Sequence, residues 1–258
     1  MAKIYDYLID KIKTDGAVHM TLIDPDEQTP ERAGEIAKSA ERAGSSAVMV
    51  GGSGGDRSML NECIKKIKEN TKLPVISFPG NVNDVSEGAD AIFFMSLLNS
   101  RSRYWISIAQ ALGSFAVKKA GIEPISMGYI IFKSDVVSSV EFFGDANPIP
   151  RDKPKIATAY ALGAEYMGMK LVYFEGGSGT SQPVPNDAIS MAKKTISVPL
   201  IVGGGIKTGE IAYEKVMAGA DLIVTGTVVE ESADVYAKIK ELVDAVKKAG
   251  SEKLKNSH

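Results

Sequence analysis

Eight short apolar runs punctuate the chain, and a segment with helical spacing follows nearly every one. Few folds accept that rhythm. Parallel strands cannot be joined by tight turns, so each pair needs a crossover of roughly a dozen residues, usually a helix. The runs are His19–Ile23, Ala47–Val50, Pro74–Phe78, Ala91–Met95, Pro124–Phe132, Met169–Phe174, Leu200–Val202 and Leu222–Val224. Eight such units in 258 residues predict an α/β protein, a (β/α)8 TIM barrel. It is expected to occupy residues 1–250 as a single domain, with a polar C-terminal tail over 251–258. An open doubly wound sheet is the alternative, but the first run ends at Asp24-Pro25-Asp26 instead of a glycine-rich turn.

Spacing and caps mark the helices. Ile4, Tyr5, Leu8, Ile9 and Ile12 share one helical face near the start. Thr29 and Pro30 suit the N-cap and first position of the next helix, which stops at Gly44. Trp105, Ile108, Ala109, Leu112, Phe115 and Ala116 predict an apolar face on a helix over Arg103–Lys119. One crossover departs from the rule. Only Pro79–Asp90 separates the third run from the fourth, so the third helix should be very short or replaced by an irregular segment. Lys133–Pro150 has no firm pattern, and its aromatic pair Phe142-Phe143 favours an ordered, functional loop.

Composition removes several function classes. The net charge is -2 and no dense basic block occurs outside the C-terminal end, which argues against nucleic acid as a partner. The single cysteine, Cys63, cannot form an intrachain disulfide and fits a reducing cytoplasm, where its helical context suits a core thiol. No signal peptide is expected, and no apolar stretch approaches the ~20 residues needed to span a bilayer. Two histidines, His19 and His258, support neither a Cys/His zinc site nor a Ser-His-Asp arrangement.

The last three runs break into glycine and small hydroxyl residues: Glu175-Gly176-Gly177-Ser178-Gly179, Gly203-Gly204-Gly205 and Gly226-Thr227. Glycine lets backbone N–H groups turn toward an anion, and a following helix adds a favourable dipole. Barrels commonly bind phosphate at the loops after their last strands. Glu175 ends the sixth strand with Tyr173 on the same face, so its carboxylate is the best candidate for taking a proton from a substrate hydroxyl. Asp24 and Ser53 follow adjacent strands and offer hard oxygen ligands suited to Mg²⁺. Phe94, Leu98, Tyr104, Trp105, Tyr129 and Phe142 supply more large apolar surface than a sugar-phosphate site needs. They suit a long groove whose flank the missing helix leaves open. A phosphosugar aldolase with Lys133 as its Schiff-base lysine is a rival reading.

Four stretches carry a resemblance: Thr21–Asp26, Val50–Ser53, Phe93–Ser100 and Pro148–Pro154 (Pro-Ile-Pro-Arg-Asp-Lys-Pro). With the glycine turns, they make the chain similar over nearly its whole length to the geranylgeranylglyceryl phosphate synthases, in the branch common in archaea. The resemblance implies a prenyl transfer in ether-lipid synthesis. The C3 hydroxyl of sn-glycerol 1-phosphate attacks C1 of geranylgeranyl diphosphate, and diphosphate leaves. It implies Mg²⁺ at Asp24 and Ser53. It implies glycerol phosphate at Tyr173, Phe174, Glu175, Gly176, Gly177, Ser178, Gly179, Gly204, Gly205, Gly226 and Thr227, with Glu175 at the glycerol hydroxyls. A heptaprenylglyceryl phosphate synthase is the nearest rival, and groove length separates the two. A cytoplasmic homo-oligomer, dimer or hexamer, working near the membrane surface is the expected setting.

Overall fold

In the computed structural model, which describes residues 3–52 and 57–256, the strands close in chain order into one barrel. They are β1 (Val18–Ile23), β2 (Ala47–Val50), β3 (Val75–Ser77), β4 (Ala91–Leu97), β5 (Glu123–Ile131), β6 (Leu171–Glu175), β7 (Leu200–Gly203) and β8 (Leu222–Thr225). All neighbours are parallel, and the closing pair sets Val18 opposite Leu222. The helices are α1 (Ile4–Asp15), α2 (Pro30–Ala43), α3 (Arg57–Asn70), α4 (Ala109–Ala120) and α5 (Ser139–Phe143). They continue as α6 (Pro154–Tyr166), α7 (Asn186–Lys193), α8 (Gly209–Ala218), α9 (Thr227–Glu230) and α10 (Val235–Lys255). This is the expected (β/α)8 barrel.

Strand side chains alternate between two apolar layers. Met20, Phe93, Met127 and Leu171 fill the barrel, whereas Val48, Val50, Val172 and Val202 face the helices. His19, next to Met20, is buried between the Ser45 and Thr225 hydroxyls, each 2.9 Å from one ring nitrogen. Burial pushes its pKa down to about 3, so it is a neutral structural group. Cys63 is a buried core thiol, pushed up to about 11 by burial. Caps follow the sequence: the Thr29 hydroxyl accepts the Arg32 N–H, and Gly44 ends α2 at φ 94°.

No helix joins β3 to β4. Residues 78–90 run irregularly, and Val85 from this segment packs with Ile92, Val117 and Ile122. The expected absence of the third helix is therefore observed.

Two expectations need correction. The helix expected over Arg103–Lys119 opens with a π turn, Tyr104–Ile108, before α4 begins. A π turn misaligns carbonyls, and side chains collect them. Gln110 Nε2 donates to the Trp105 and Met95 carbonyls at 3.0 and 2.6 Å, and Ser96 Oγ donates to the Ile106 carbonyl at 2.6 Å. The helix buries Gly113 and Val117, leaving Ile108, Leu112 and Phe115 exposed by 44, 62 and 82%. The expected apolar face thus looks outward. Second, α10 continues past residue 250 to Lys255, so most of the expected tail is helix. Lys253 pairs with the buried Asp221 at 2.8 Å, and Glu252 accepts from the Tyr213 hydroxyl. Among the described residues no helix is long and apolar enough to cross a membrane.

Candidate active site

The C-terminal ends of the strands open into a cleft of about 1300 Å³. At its floor, Phe78, Tyr129 and Tyr173 form an aromatic cluster, with Tyr173 stacked on Phe78 at 5.8 Å and edge-on to Tyr129 at 5.1 Å. The Tyr129 and Tyr173 hydroxyls face the Glu175 carboxylate and favour its charged form. Glu175 Oε1 also accepts the Gly177 N–H at 2.6 Å. Burial nevertheless dominates and raises the Glu175 pKa above the ordinary glutamate value. The same burial, with the negative carboxylate nearby, raises both tyrosines well above theirs. A desolvated carboxylate with a raised pKa, held at a fixed point in a cleft, is suited to accept a proton.

The three glycine turns meet around this carboxylate. Gly204 adopts φ 80°, and a Cβ there would fall 2.2 Å from Glu175 Oε1. Gly176 N–H donates to the Gly203 carbonyl at 2.9 Å, which joins the turns after β6 and β7. Ser178 Oγ lies 3.0 Å from Thr227 Oγ1, which joins the turns after β6 and β8. Helix α9 starts at Thr227, so its first backbone N–H groups have no partner within the helix. Ser178, Gly179, Gly204, Gly205, Gly226 and Thr227 all line the cleft. Phe174 does not. Its ring packs edge-on against Phe132 in the layer under the helices, because it alternates with Tyr173 and Glu175.

Asp24 lies at the edge of the same cleft. Its backbone N–H donates to Glu230 Oε1 at 2.8 Å, and its Oδ1 accepts the Asp26 N–H at 2.9 Å. Burial pushes Asp24 up to about 6 and Glu230 up to about 7. Ser53 lies outside the described residues. Gly52, just before it, leaves room that a Cβ would fill, since that atom would sit 2.1 Å from Asp24 Oδ1. Among the described residues no group of three or more His, Cys, Asp or Glu side chains is placed to hold a metal ion. Glu230 was not singled out in the sequence. The only signal is its place one helical turn after Gly226.

The apolar branch of the cleft leaves the mouth across the outer face of β4. Ile92 and Phe94 form its floor, Gly113 and Val117 one side, and Val85 of the helix-free crossover another. Trp105, Val140 and Phe143 flank its entrance, and the Trp105 indole donates to the Phe143 carbonyl at 2.9 Å. Of the groove residues expected from sequence, Phe94, Trp105 and Tyr129 line the cleft. Leu98 instead packs toward Gly128 in the outer layer, the Tyr104 hydroxyl bonds Asn81, and Phe142 is 72% exposed. Lys133 is also outside the cleft, with an exposed ammonium 3.9 Å from Glu141, a poor setting for a Schiff-base lysine.

Comparison with known proteins agrees with this geometry. Residues 9–247 match the PcrB family. The geranylgeranylglyceryl phosphate synthase of Methanosphaera stadtmanae is 53% identical over 94% of this chain and 99% of its own. That of Thermococcus gammatolerans is 51% identical over 96% of this chain and 98% of its own. A solved (S)-3-O-geranylgeranylglyceryl phosphate synthase from Thermoplasma acidophilum, in complex with its substrate sn-glycerol-1-phosphate, superposes with a TM-score of 0.92. It is 43% identical and covers 96% of this chain and 100% of that one. The chain belongs to the PcrB family and, within it, to the geranylgeranylglyceryl phosphate synthases, which are prenyltransferases.

Proposed function

We propose that the chain joins the C3 oxygen of sn-glycerol 1-phosphate to C1 of geranylgeranyl diphosphate, with release of diphosphate. The observation that carries this reading is the position of Glu175, buried where the glycine turns meet the apolar branch. In this reading Ser178, Thr227 and the turn N–H groups hold the acceptor phosphate. Glu175 accepts the proton of the attacking hydroxyl, while the Tyr129 and Tyr173 hydroxyls fix the carboxylate's orientation. The prenyl chain lies along Phe94, Val117 and Gly113, where burial contributes about 0.8 kcal/mol per CH₂.

Mg²⁺ fits beside Asp24. Two carboxyl groups have raised pKa values there, and the Asp24 and Asp26 carboxylates both close on Gly52, where a Cβ would fall 2.1 and 2.6 Å from their oxygens. Asp24 would hold the ion, with the Ser53 hydroxyl as its candidate partner, since Mg²⁺ uses few protein ligands. Bound there, it would offset the charge that builds on the departing diphosphate. The exposed stripe of Ile108, Leu112 and Phe115 supports a homo-oligomer, and an amphiphilic donor with a lipid-like product suits a cytoplasmic enzyme working at the membrane surface.

The test is transfer of labelled sn-glycerol 1-phosphate to prenyl diphosphates of graded length. A product with the geranylgeranyl donor, at higher kcat/KM than with longer donors, is expected. Preference for the heptaprenyl donor would reassign the chain-length class. Schiff-base trapping with a phosphorylated ketose, and no prenyl product, would overturn the reading.

A further inference from the structure

The segment that leaves β5 returns to the acceptor side of the mouth at two points. Asp135 accepts hydrogen bonds from the Thr180 and Ser181 hydroxyls, and from the Ser181 N–H at 3.2 Å. Farther along, Arg151 donates through Nη1 to the Gln182 carbonyl at 3.0 Å and through Nη2 to the Pro183 carbonyl at 2.8 Å. Four consecutive residues, Thr180–Pro183, are thereby gripped from both ends. They belong to the loop that begins with Gly177 and Ser178. That loop is seated on the next glycine turn, where a Cβ on Gly205 would meet Pro183 N and Thr180 Cγ2 at 2.9 Å.

Neither gripping side chain lines the cleft, and Asp135 is exposed, so core packing does not account for them. Charged groups bonded to carbonyls, hydroxyls and N–H groups make directional contacts that fix a loop's shape. Between the two grips, the same segment sets Ser138 beside Gly177 and supplies Val140 and Phe143 to the entrance of the apolar branch. One continuous stretch therefore touches both halves of the cleft.

We propose that Asp135 and Arg151 are positioning residues for the acceptor half, holding Thr180–Pro183 in the shape that presents Ser178 to glycerol phosphate. The proposal rests on the two-substrate reading of the cleft. Its test uses the full chain in four forms: wild type, Asp135→Asn, Arg151→Met and the conservative Asp135→Glu. Titration calorimetry with sn-glycerol 1-phosphate and with geranylgeranyl diphosphate reads affinity, and hydrogen exchange of residues 177–183 reads loop order.

The expected result is about tenfold weaker acceptor binding in Asp135→Asn and Arg151→Met, from the loss of charge-assisted bonds. Donor affinity should change less than about twofold, loop exchange should accelerate, and Asp135→Glu should recover part of the acceptor affinity. Faster loop exchange with unchanged acceptor affinity would make the grip merely structural and overturn the proposal. Equal weakening of both ligands, or no change in either, would overturn it as well. If wild type binds inorganic phosphate but not sn-glycerol 1-phosphate, the same loss in Asp135→Asn keeps the grip and removes the substrate reading. Binding of neither by wild type defeats both.

Discussion

Glu230 Oε1 accepts the Asp24 backbone N–H at 2.8 Å, so the turn after β8 anchors the loop after β1. The acceptor-side glycine turn and the carboxylate proposed for Mg²⁺ are thereby mechanically joined. Glu230→Ala should raise the Mg²⁺ concentration for half-maximal rate by about 10-fold or more, while kcat at saturating Mg²⁺ falls less. Asp24→Asn should lower the rate at every Mg²⁺ concentration. Initial-rate titrations compare the two, and an unchanged metal response in Asp24→Asn would remove Asp24 from the metal site.

Glu175→Gln keeps the shape of the side chain and removes its basicity. Turnover should fall by roughly 10² to 10⁴ with little change in Tm. In wild type the rate should rise with pH through a value above the ordinary glutamate range, because burial raises this pKa. The variant's residual rate should lack that limb. Single-turnover rates across pH measure both.

Gly204 has no room for a methyl group. At φ 80°, an alanine Cβ would lie 2.2 Å from Glu175 Oε1 and 2.6 Å from the Gly177 nitrogen. Gly204→Ala should cost about 1–3 kcal/mol in strain and raise KM for the acceptor more than for the donor. Denaturant melts and paired KM measurements decide it.

Gly113 is the opposite case, because nothing lies within 4 Å of its built Cβ and it borders the apolar branch. Gly113→Leu should weaken the geranylgeranyl donor by about 10-fold or more by filling space meant for several CH₂ groups. Shorter donors should lose less. Stability should hold or improve, since glycine costs roughly 1 kcal/mol in a helix interior.

His19 makes acid stability a readout of the layer between the strands and the helices. Its pKa is about 3 when folded, against 6.5 for the free side chain, so the unfolded chain binds the proton first. Its contribution is complete above about pH 6.5 and is lost as pH falls, at up to about 1.4 kcal/mol per pH unit. His19→Gln should flatten the stability profile between about pH 6 and 3 relative to wild type. Parallel urea melts across that range check the sign.

The barrel is legible in the sequence because strand period and helix period differ, and the missing helix because Pro79–Asp90 lacks a helical face. The glycine turns and Glu175 are legible because their chemistry is local. The groove is less so. Phe94 and Leu98 both read as apolar residues near one strand end, yet only three-dimensional register tells that Phe94 faces the cleft and Leu98 the outer layer. The π turn has no periodic signature, so Ile108, Leu112 and Phe115 read as a core face although they point outward. Glu230 and Arg151 act through backbone atoms distant in sequence, a relation that spacing does not encode.

The helix-free crossover between β3 and β4 has an architectural consequence. It places the apolar branch outside the barrel wall, on Ile92 and Phe94, while Glu175 and the glycine turns stay over the mouth. In the proposed reading, donor-length selection and the reaction centre thus belong to different layers of the protein. Substitutions on α4 or in residues 78–90 can lengthen or shorten the branch without entering the closed ring of strands. Under that reading chain length is an independently evolvable trait, separable from bond formation by the thickness of one strand.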